Sequence, residues 1–265
     1  MYREQNGIFC DALILMFAQQ LSPWLPTLLA TLVWAPRELK FALESFWEGK
    51  SSDADLEALA KDLRASIWKQ MADAGITLIP SNTFSYYDQV LDTTALVGAV
   101  PPFMDGPGVT LGLMSLLLYG LCHFIVPELG PATRFSYSSR KAVNEYKEGK
   151  ELGIETVPVL VALLHTCFLL RLKRVPPKTL IFCHFLTQFY QSTNYGNACN
   201  SEVIGELTEA GAKWVQLDEP SLVLDLEASQ LEAFKKAYSF LGADLGGLKL
   251  LLETYFSDIP AAAYK

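Results

Sequence analysis

The 265-residue chain carries 29 acidic against 21 basic side chains, a net charge of −8, so it offers no clustered basic face of the kind nucleic acid requires. Its 51% hydrophobic content is high, and the excess is concentrated in residues 8–34, 109–126 and 159–172. At this length one α/β unit the size of a barrel is expected, in a soluble, cytoplasmic protein.

The five cysteines (Cys10, Cys122, Cys167, Cys183 and Cys199) form no CxxC pair and no zinc-site spacing, so they read as reduced, buried thiols. Two apolar runs invite a membrane reading. Residues 8–33 are broken by Asp11, Gln19, Gln20 and two prolines. Residues 109–126 lack formal charge and approach spanning length, yet no Lys or Arg cluster flanks them. A span at 109–126 is therefore kept as a minor alternative.

In chain order, Ser51, Ser52 and Asp53 are candidates to cap a helix whose Leu56, Leu59, Leu63, Ile67 and Met71 recur at helical spacing. Gly75 stops it. Residues 76–79 then read as a short buried strand, and Pro80-Ser81-Asn82 as the turn that leads outward. The polar helix 139–152 precedes a strand at 155–161. Ser201 reads as the cap of VIGELTEAG, Gly211 as its end, and 213–217 as a strand closed by Asp218-Glu219-Pro220. A helix at 227–241 is expected to bury Leu231, Phe234, Tyr238 and Leu241, and a last strand occupies 248–253.

Strands that alternate with helices, with polar residues gathered just past the strand ends, indicate parallel βα units. In a (βα)₈ barrel those ends face the active site. That places Asn82, Tyr86, Asp88, Asp218, Glu219 and Glu253 at a functional rim. A doubly wound nucleotide fold has little support, because no GxGxxG or P-loop follows any strand.

Long motifs add a resemblance. RELKFALESFWEGK through IPSNTFSYYD (37–88), VLDTTALVGAVP (90–101), residues 123–161, ELTEAGAKWVQLDEPSLVLDLE (206–227) and GLKLLLETYFSDIPAAAYK (247–265) resemble the N-terminal half of cobalamin-independent methionine synthase, of plant or fungal wording, in family order. The resemblance implies an α/β chain on an incomplete TIM-type (βα)₈ barrel. It implies methyl transfer from 5-methyltetrahydropteroyltriglutamate to homocysteine, with the catalytic zinc held by His, Cys and Glu in a second, C-terminal barrel. No catalytic residue, metal ligand or cofactor is thus expected within this chain, and no turnover by it alone. The segment that matches the folate-tail role is Arg37-Glu38-Leu39-Lys40. A guanidinium and an ammonium at a helix start can receive carboxylates. A second folate contact of the family, an Asn just before the block that opens at His123, is replaced here by Gly120-Leu121-Cys122. Asp218 and Glu219 tempt an acid/base reading, but with Asn82 they are taken as rim structure. His123, His165 and His184 have no partner at ligand spacing. A non-catalytic module that binds the folate tail or an intact synthase is the alternative.

Three stretches depart from the family. Residues 1–36 lack its opening strand and loop, which leaves 37–265 as the family-like part. Within that part 103–122 and 162–200 are anomalous. Back-translated and read one nucleotide out of phase, both give family-like sequence, so a frameshift is the expected origin of each. An in-frame transcript that encodes these residues would exclude it.

Overall fold

A computed structural model describes residues 37–86, 88–99, 128–129, 136–162, 171–172, 196–243 and 245–261. The first of the described helices, α1 (Arg37–Trp47), packs on α2 (Asp53–Asp73), which leads to strand β1 (Ile79–Ser81). The order continues with α3 (Gln89–Leu96), β2 (Glu128–Leu129), α4 (Lys141–Glu151), β3 (Thr156–Val161), β4 (Arg171–Leu172) and α5 (Gly196–Ala210). Strand β5 (Trp214–Asp218), a 3₁₀ turn (Pro220–Val223), α6 (Ala228–Ala243) and β6 (Lys249–Glu253) complete it.

The termini of α2 explain its length. Ser52 is the N-cap, and its hydroxyl accepts from the Asp55 amide at 3.3 Å while the Asp55 carboxylate accepts from the Ser52 amide at 2.9 Å. This reciprocal capping box satisfies two amides that a helix start leaves without partners. Beyond the C-cap Ala74, Gly75 takes φ +81°, a left-handed conformation that ends the helix. The chain then reverses, so α2 runs antiparallel to β1. Trp68 and Met71 of α2 cluster with Ile79, and the Trp68 indole donates to the Pro80 carbonyl at 3.0 Å. Burial of side chains of this size contributes about 1.5–3 kcal/mol each.

Strands β1, β3, β5 and β6 form a four-stranded parallel sheet in that order. Spatial order follows chain order without a reversal, as in a singly wound sheet; a doubly wound sheet would reverse at a switch point. β2 and β4 form a separate parallel pair. Leu160, Val215, Leu217 and Leu248 face Val143 and Tyr146 of α4 and Val203, Ile204 and Leu207 of α5 in the largest buried cluster. By the period of two, Val159, Gln216, Asp218, Leu251 and Glu253 project from the opposite face.

Several expectations shift. The first strand lies at Ile79–Ser81 rather than 76–79, so Pro80 and Ser81 belong to it and the turn begins at Asn82. Ile76 is buried, but as part of the helix-packing cluster that precedes the strand. Ser201 lies inside α5, which starts five residues earlier at Gly196. On α2, Leu59 and Ile67 are half-buried, and Ala60 and Trp68 take the fully buried positions. On α6, Leu231, Phe234, Tyr238 and Leu241 are half-buried rather than buried, with Tyr238 and Leu241 packed on the edge of the main cluster. Residues 1–36 and 103–122 lie outside the described residues, as does most of 162–200. The 109–126 run falls there too, and no helix among the described residues is long and apolar enough to cross a membrane.

The ends of the stretch between α3 and α4 are stapled together: Ser136 N–H donates to Val97 O and Ser138 N–H to Leu96 O, both at 2.9 Å. Gly98 sits inside the staple at φ +63°, and a Cβ there would lie 2.5 Å from Ser136 Oγ and 2.6 Å from Ser138 Oγ. Gly75 shares the positive φ but would place a Cβ in open space. Gly98→Ala should therefore destabilise by roughly 2–4 kcal/mol, strain and clash together. Gly75→Ala should cost only about 1 kcal/mol. Urea midpoints of the two variants check this, and equal losses would show that the staple gives way.

Candidate functional site

The C-terminal ends of the four strands form one rim. Asn82 follows β1, Ala162 follows β3, Asp218 and Glu219 close β5, and Glu253 closes β6. Ala162 N–H donates to Asp218 O at 3.0 Å and Glu219 N–H to Glu253 O at 2.8 Å, which holds the rim level.

Asp218 and Glu253 are direct register partners on adjacent parallel strands. The Gln216 amide, two residues below on the same face, donates to Asp218 Oδ1 at 2.8 Å and also to Glu253 Oε2. One neutral donor therefore serves two carboxyl groups. Burial pushes Asp218 up to about 6, with the Gln216 bond opposing. Burial and then the neighbouring Asp218 push Glu253 up to about 7. Tyr255 is raised by burial and by the same carboxylates.

Glu219 belongs to the other face. It is fully buried, accepts from Ser221 Oγ through Oε1, and receives the Tyr238 hydroxyl at 3.5 Å on Oε2. Adjacent in sequence, Asp218 and Glu219 are thus separated by the sheet, so they do not form one acid/base pair. Glu253 is the residue that meets Asp218, and pairing register rather than sequence proximity brings it there.

A second polar assembly joins the β1 end of the rim to α2, α3 and α4. Asn82 adopts φ +62°. Its amide N–H donates to Glu145 Oε2 at 2.9 Å, its Nδ2 to Val159 O at 2.8 Å, and its Oδ1 accepts from Lys141 Nζ at 2.9 Å. Every polar group of the Asn82 side chain is thereby engaged within the protein. Lys141 also lies 3.0 Å from Glu145 and 3.3 Å from Asp92. Arg64 donates through Nε and Nη2 to the two oxygens of Glu148, both at 2.9 Å, and its Nη1 stands 4.0 Å from Glu145. Burial raises the Glu145 pKa, while Lys141, Arg64 and the Asn82 amide pull it back.

Past Asn82 the chain carries Phe84, Ser85 and Tyr86 outward. Ser85 Oγ donates to Asp92. The Arg64 guanidinium lies 5.5 Å from the Phe84 ring centroid, and Phe84 meets Tyr86 edge-on at 5.6 Å. Tyr86 packs against the cluster of Leu43 and Leu56, with Leu39, Ala42, Phe46 and Trp47 of α1. Burial pushes its hydroxyl up to about 12. Tyr86 also lines a cleft of ≈ 910 Å³ with Lys61, Arg64, Arg140 and Lys141.

The Arg37–Lys40 segment is the first turn of α1. Leu39 faces the α1–α2 cluster, whereas Glu38 is exposed and the Lys40 side chain is 72% exposed, 3.8 Å from Glu44. Leu56, its packing partner, lies twelve residues before Trp68, the α2 residue that meets Pro80 of β1, which is about 18 Å along the helix. Tyr86, past the end of β1, packs on the same cluster, so the segment stands beyond the C-terminal end of β1, on the rim side. The sequence pointed to Asn82, Tyr86, Asp88, Asp218, Glu219 and Glu253, of which Asp88 is the N-cap of α3, but missed Gln216, Lys141 and Glu145. Glu145 at four residues from Lys141 was a readable helical ion pair; its burial was not.

Among the described residues no three His, Cys, Asp or Glu side chains converge as a metal site. His123, His165, His184 and the cysteine side chains lie outside those described. The described side chains near the rim are carboxylates and the amides of Asn82 and Gln216, which suit zinc poorly beside the nitrogen and sulfur ligands it prefers.

Both raised carboxyl groups have a consequence for stability. Their folded values, about 6 and about 7, lie above the ordinary carboxyl values of 3.8 and 4.5. In that window the folded state holds protons that the unfolded chain has released, so stability falls as pH rises. Urea midpoints should drop from about pH 4 to pH 7, and Asp218→Asn with Glu253→Gln should flatten the profile. A wild-type profile that rises across this range would contradict the assignment.

Comparison with known proteins supplies the family. The model described as "Cobalamin-independent synthase, N-terminal domain" matches residues 33–107 and 121–265. The unmatched residues 108–120 fall inside the anomalous 103–122 stretch, whereas 162–200 lies within the matched range. The chain is 53% identical over 246 residues to the 5-methyltetrahydropteroyltriglutamate–homocysteine methyltransferase of Catharanthus roseus, a match that spans 86% of this chain and 31% of the relative. It is equally similar, 53% with the same coverage, to methyltransferase 1 of that name from Oryza sativa subsp. japonica. Arabidopsis thaliana methyltransferase 2 is 51% identical over 249 residues. The chain spans about a third, 31%, of the length of these relatives. The family expected from the motifs is therefore the right one: this chain belongs to the cobalamin-independent synthase N-terminal domain family.

Proposed function

We propose that this chain is the folate-tail-binding half of a 5-methyltetrahydropteroyltriglutamate–homocysteine methyltransferase, built on an incomplete TIM-type (βα)₈ barrel and working in the cytoplasm. The family match over 33–107 and 121–265 carries the reading. The singly wound order of the four-stranded sheet supports the barrel. Residues Arg37 and Lys40 are the assigned tail contacts, with Glu38 and Leu39 setting the turn that presents them. Lys40 stands exposed beside the rim, so its ammonium can meet a glutamate carboxylate without breaking a buried pair. Asn82, Asp218 and Glu219 serve the rim as structure.

Methyl transfer itself needs a zinc-bound homocysteine thiolate, since the thiolate is the nucleophilic form. The described residues do not fit that metal, and no step of the transfer is assigned to them. The purified chain, given zinc, homocysteine and the triglutamate methyl donor, should form no methionine above a no-enzyme control. Turnover above that control would contradict this assignment.

Binding is the direct test. Triglutamate folate should saturate the chain, and Lys40→Ala should weaken it about fivefold, the loss of one largely exposed charge contact. Monoglutamate binding should change little. Equal affinity of wild type and Lys40→Ala for the triglutamate would remove Lys40 from the site.

A further inference from the structure

We propose that Lys141 is a positioning residue for the cationic turn of α1, acting through the 82–86 loop without touching the ligand. The inference rests on the folate-tail reading above and concerns how that site is held in place.

Helix α1 packs, among the described residues, mainly on α2 and on Tyr86. Both are tied back to α4. Helix α2 is anchored by Arg64 on Glu148, and the loop that carries Tyr86 is anchored at its origin by Asn82. Lys141 holds that origin in two ways. Its Nζ donates to Asn82 Oδ1 at 2.9 Å, which fixes a left-handed residue that a non-glycine side chain adopts at a cost. It also lies 3.0 Å from Glu145, whose other oxygen accepts the Asn82 amide. A third contact, 3.3 Å to Asp92, meets the carboxylate that receives Ser85 Oγ from the middle of the loop.

One ammonium therefore joins the start of the loop, its middle and the helix that supports both. Without it, Glu145 keeps the Asn82 amide and the 4.0 Å approach of Arg64 but loses its nearest cation, and buried carboxylates so poorly compensated rearrange or take a proton. Asn82 loses the partner of its side-chain oxygen, and the segment that delivers Tyr86 to the Leu43–Leu56 cluster loosens. Lys40 would then remain on the helix, with its helix no longer held at the rim.

The test compares Lys141→Met, Lys141→Arg and Ser85→Ala in the full chain. Ser85→Ala removes only the loop's bond to Asp92, and so reports even where Lys141→Met fails to fold. Lys141→Met should weaken triglutamate folate binding roughly tenfold while monoglutamate affinity stays within twofold. Ser85→Ala should weaken it less, and Lys141→Arg should recover most of the loss. Combined with Lys40→Ala, the effects should fall short of additive, because both act on one contact. Amide exchange of α1 should quicken in Lys141→Met more than in Gly75→Ala, which lowers global stability without touching the loop. Triglutamate affinity unchanged in both Lys141→Met and Ser85→Ala would overturn the proposal, as would strict additivity with Lys40→Ala. If wild type shows no triglutamate binding, the folate-tail reading itself falls. Exchange then decides the coupling: α1 protection in Lys141→Met or Ser85→Ala equal to the Gly75→Ala control overturns it, and selective loss supports it.

Discussion

The buried carboxylate of Glu145 is the constraint around which the β1 side of this structure is arranged. It is 3% exposed and sits between helices α2 and α4 and the end of β1, where an isolated charge would be expensive. Lys141, Arg64 and the Asn82 amide converge on it, and each residue serves a second group as well: Lys141 reaches Asp92, Arg64 grips Glu148, and the Asn82 side chain donates to Val159 O within β3. Pairs of this kind give little net stability over an apolar substitute, yet a missing partner typically costs 3–5 kcal/mol. The network thus fixes the relative placement of its elements more than it deepens the fold. Placement is what a rim needs.

The β5–β6 side follows a different logic. Among the described residues no cation faces the Asp218–Glu253 pair, and the Gln216 amide bridges the two groups. A neutral donor relieves the like-charge contact only in part, so burial dominates and both carboxyls are raised. One rim therefore carries a charge-compensated end at Asn82 and a proton-retaining end at Asp218. Backbone bonds from Ala162 to Asp218 and from Glu219 to Glu253 keep that second end in register.

Much of the fold was legible because local signals and tertiary structure agree. Four strands of the sheet, the capped helix 53–73 and the α4 helix all follow from apolar spacing, Ser52 and Gly75. The misses share a cause. Residues 76–79 are apolar enough for a strand, but Ile76 packs on the end of α2, and hydrogen bonding to β3 begins only at Ile79. Ser201 looks like a cap, yet the helix already runs from Gly196. Periodicity reports which residues want burial. It does not report which neighbour buries them.

The family and the βα alternation were readable from the chain alone, because long motifs, apolar period and capping residues are local properties. Only the tertiary structure decided that Glu219 and Asp218 lie on opposite faces and that Glu253 is the partner Asp218 meets. It also joined Lys141 to Asn82, 59 residues apart. Strand register and helix packing bring those groups together, and both depend on contacts between segments that no single stretch of sequence contains.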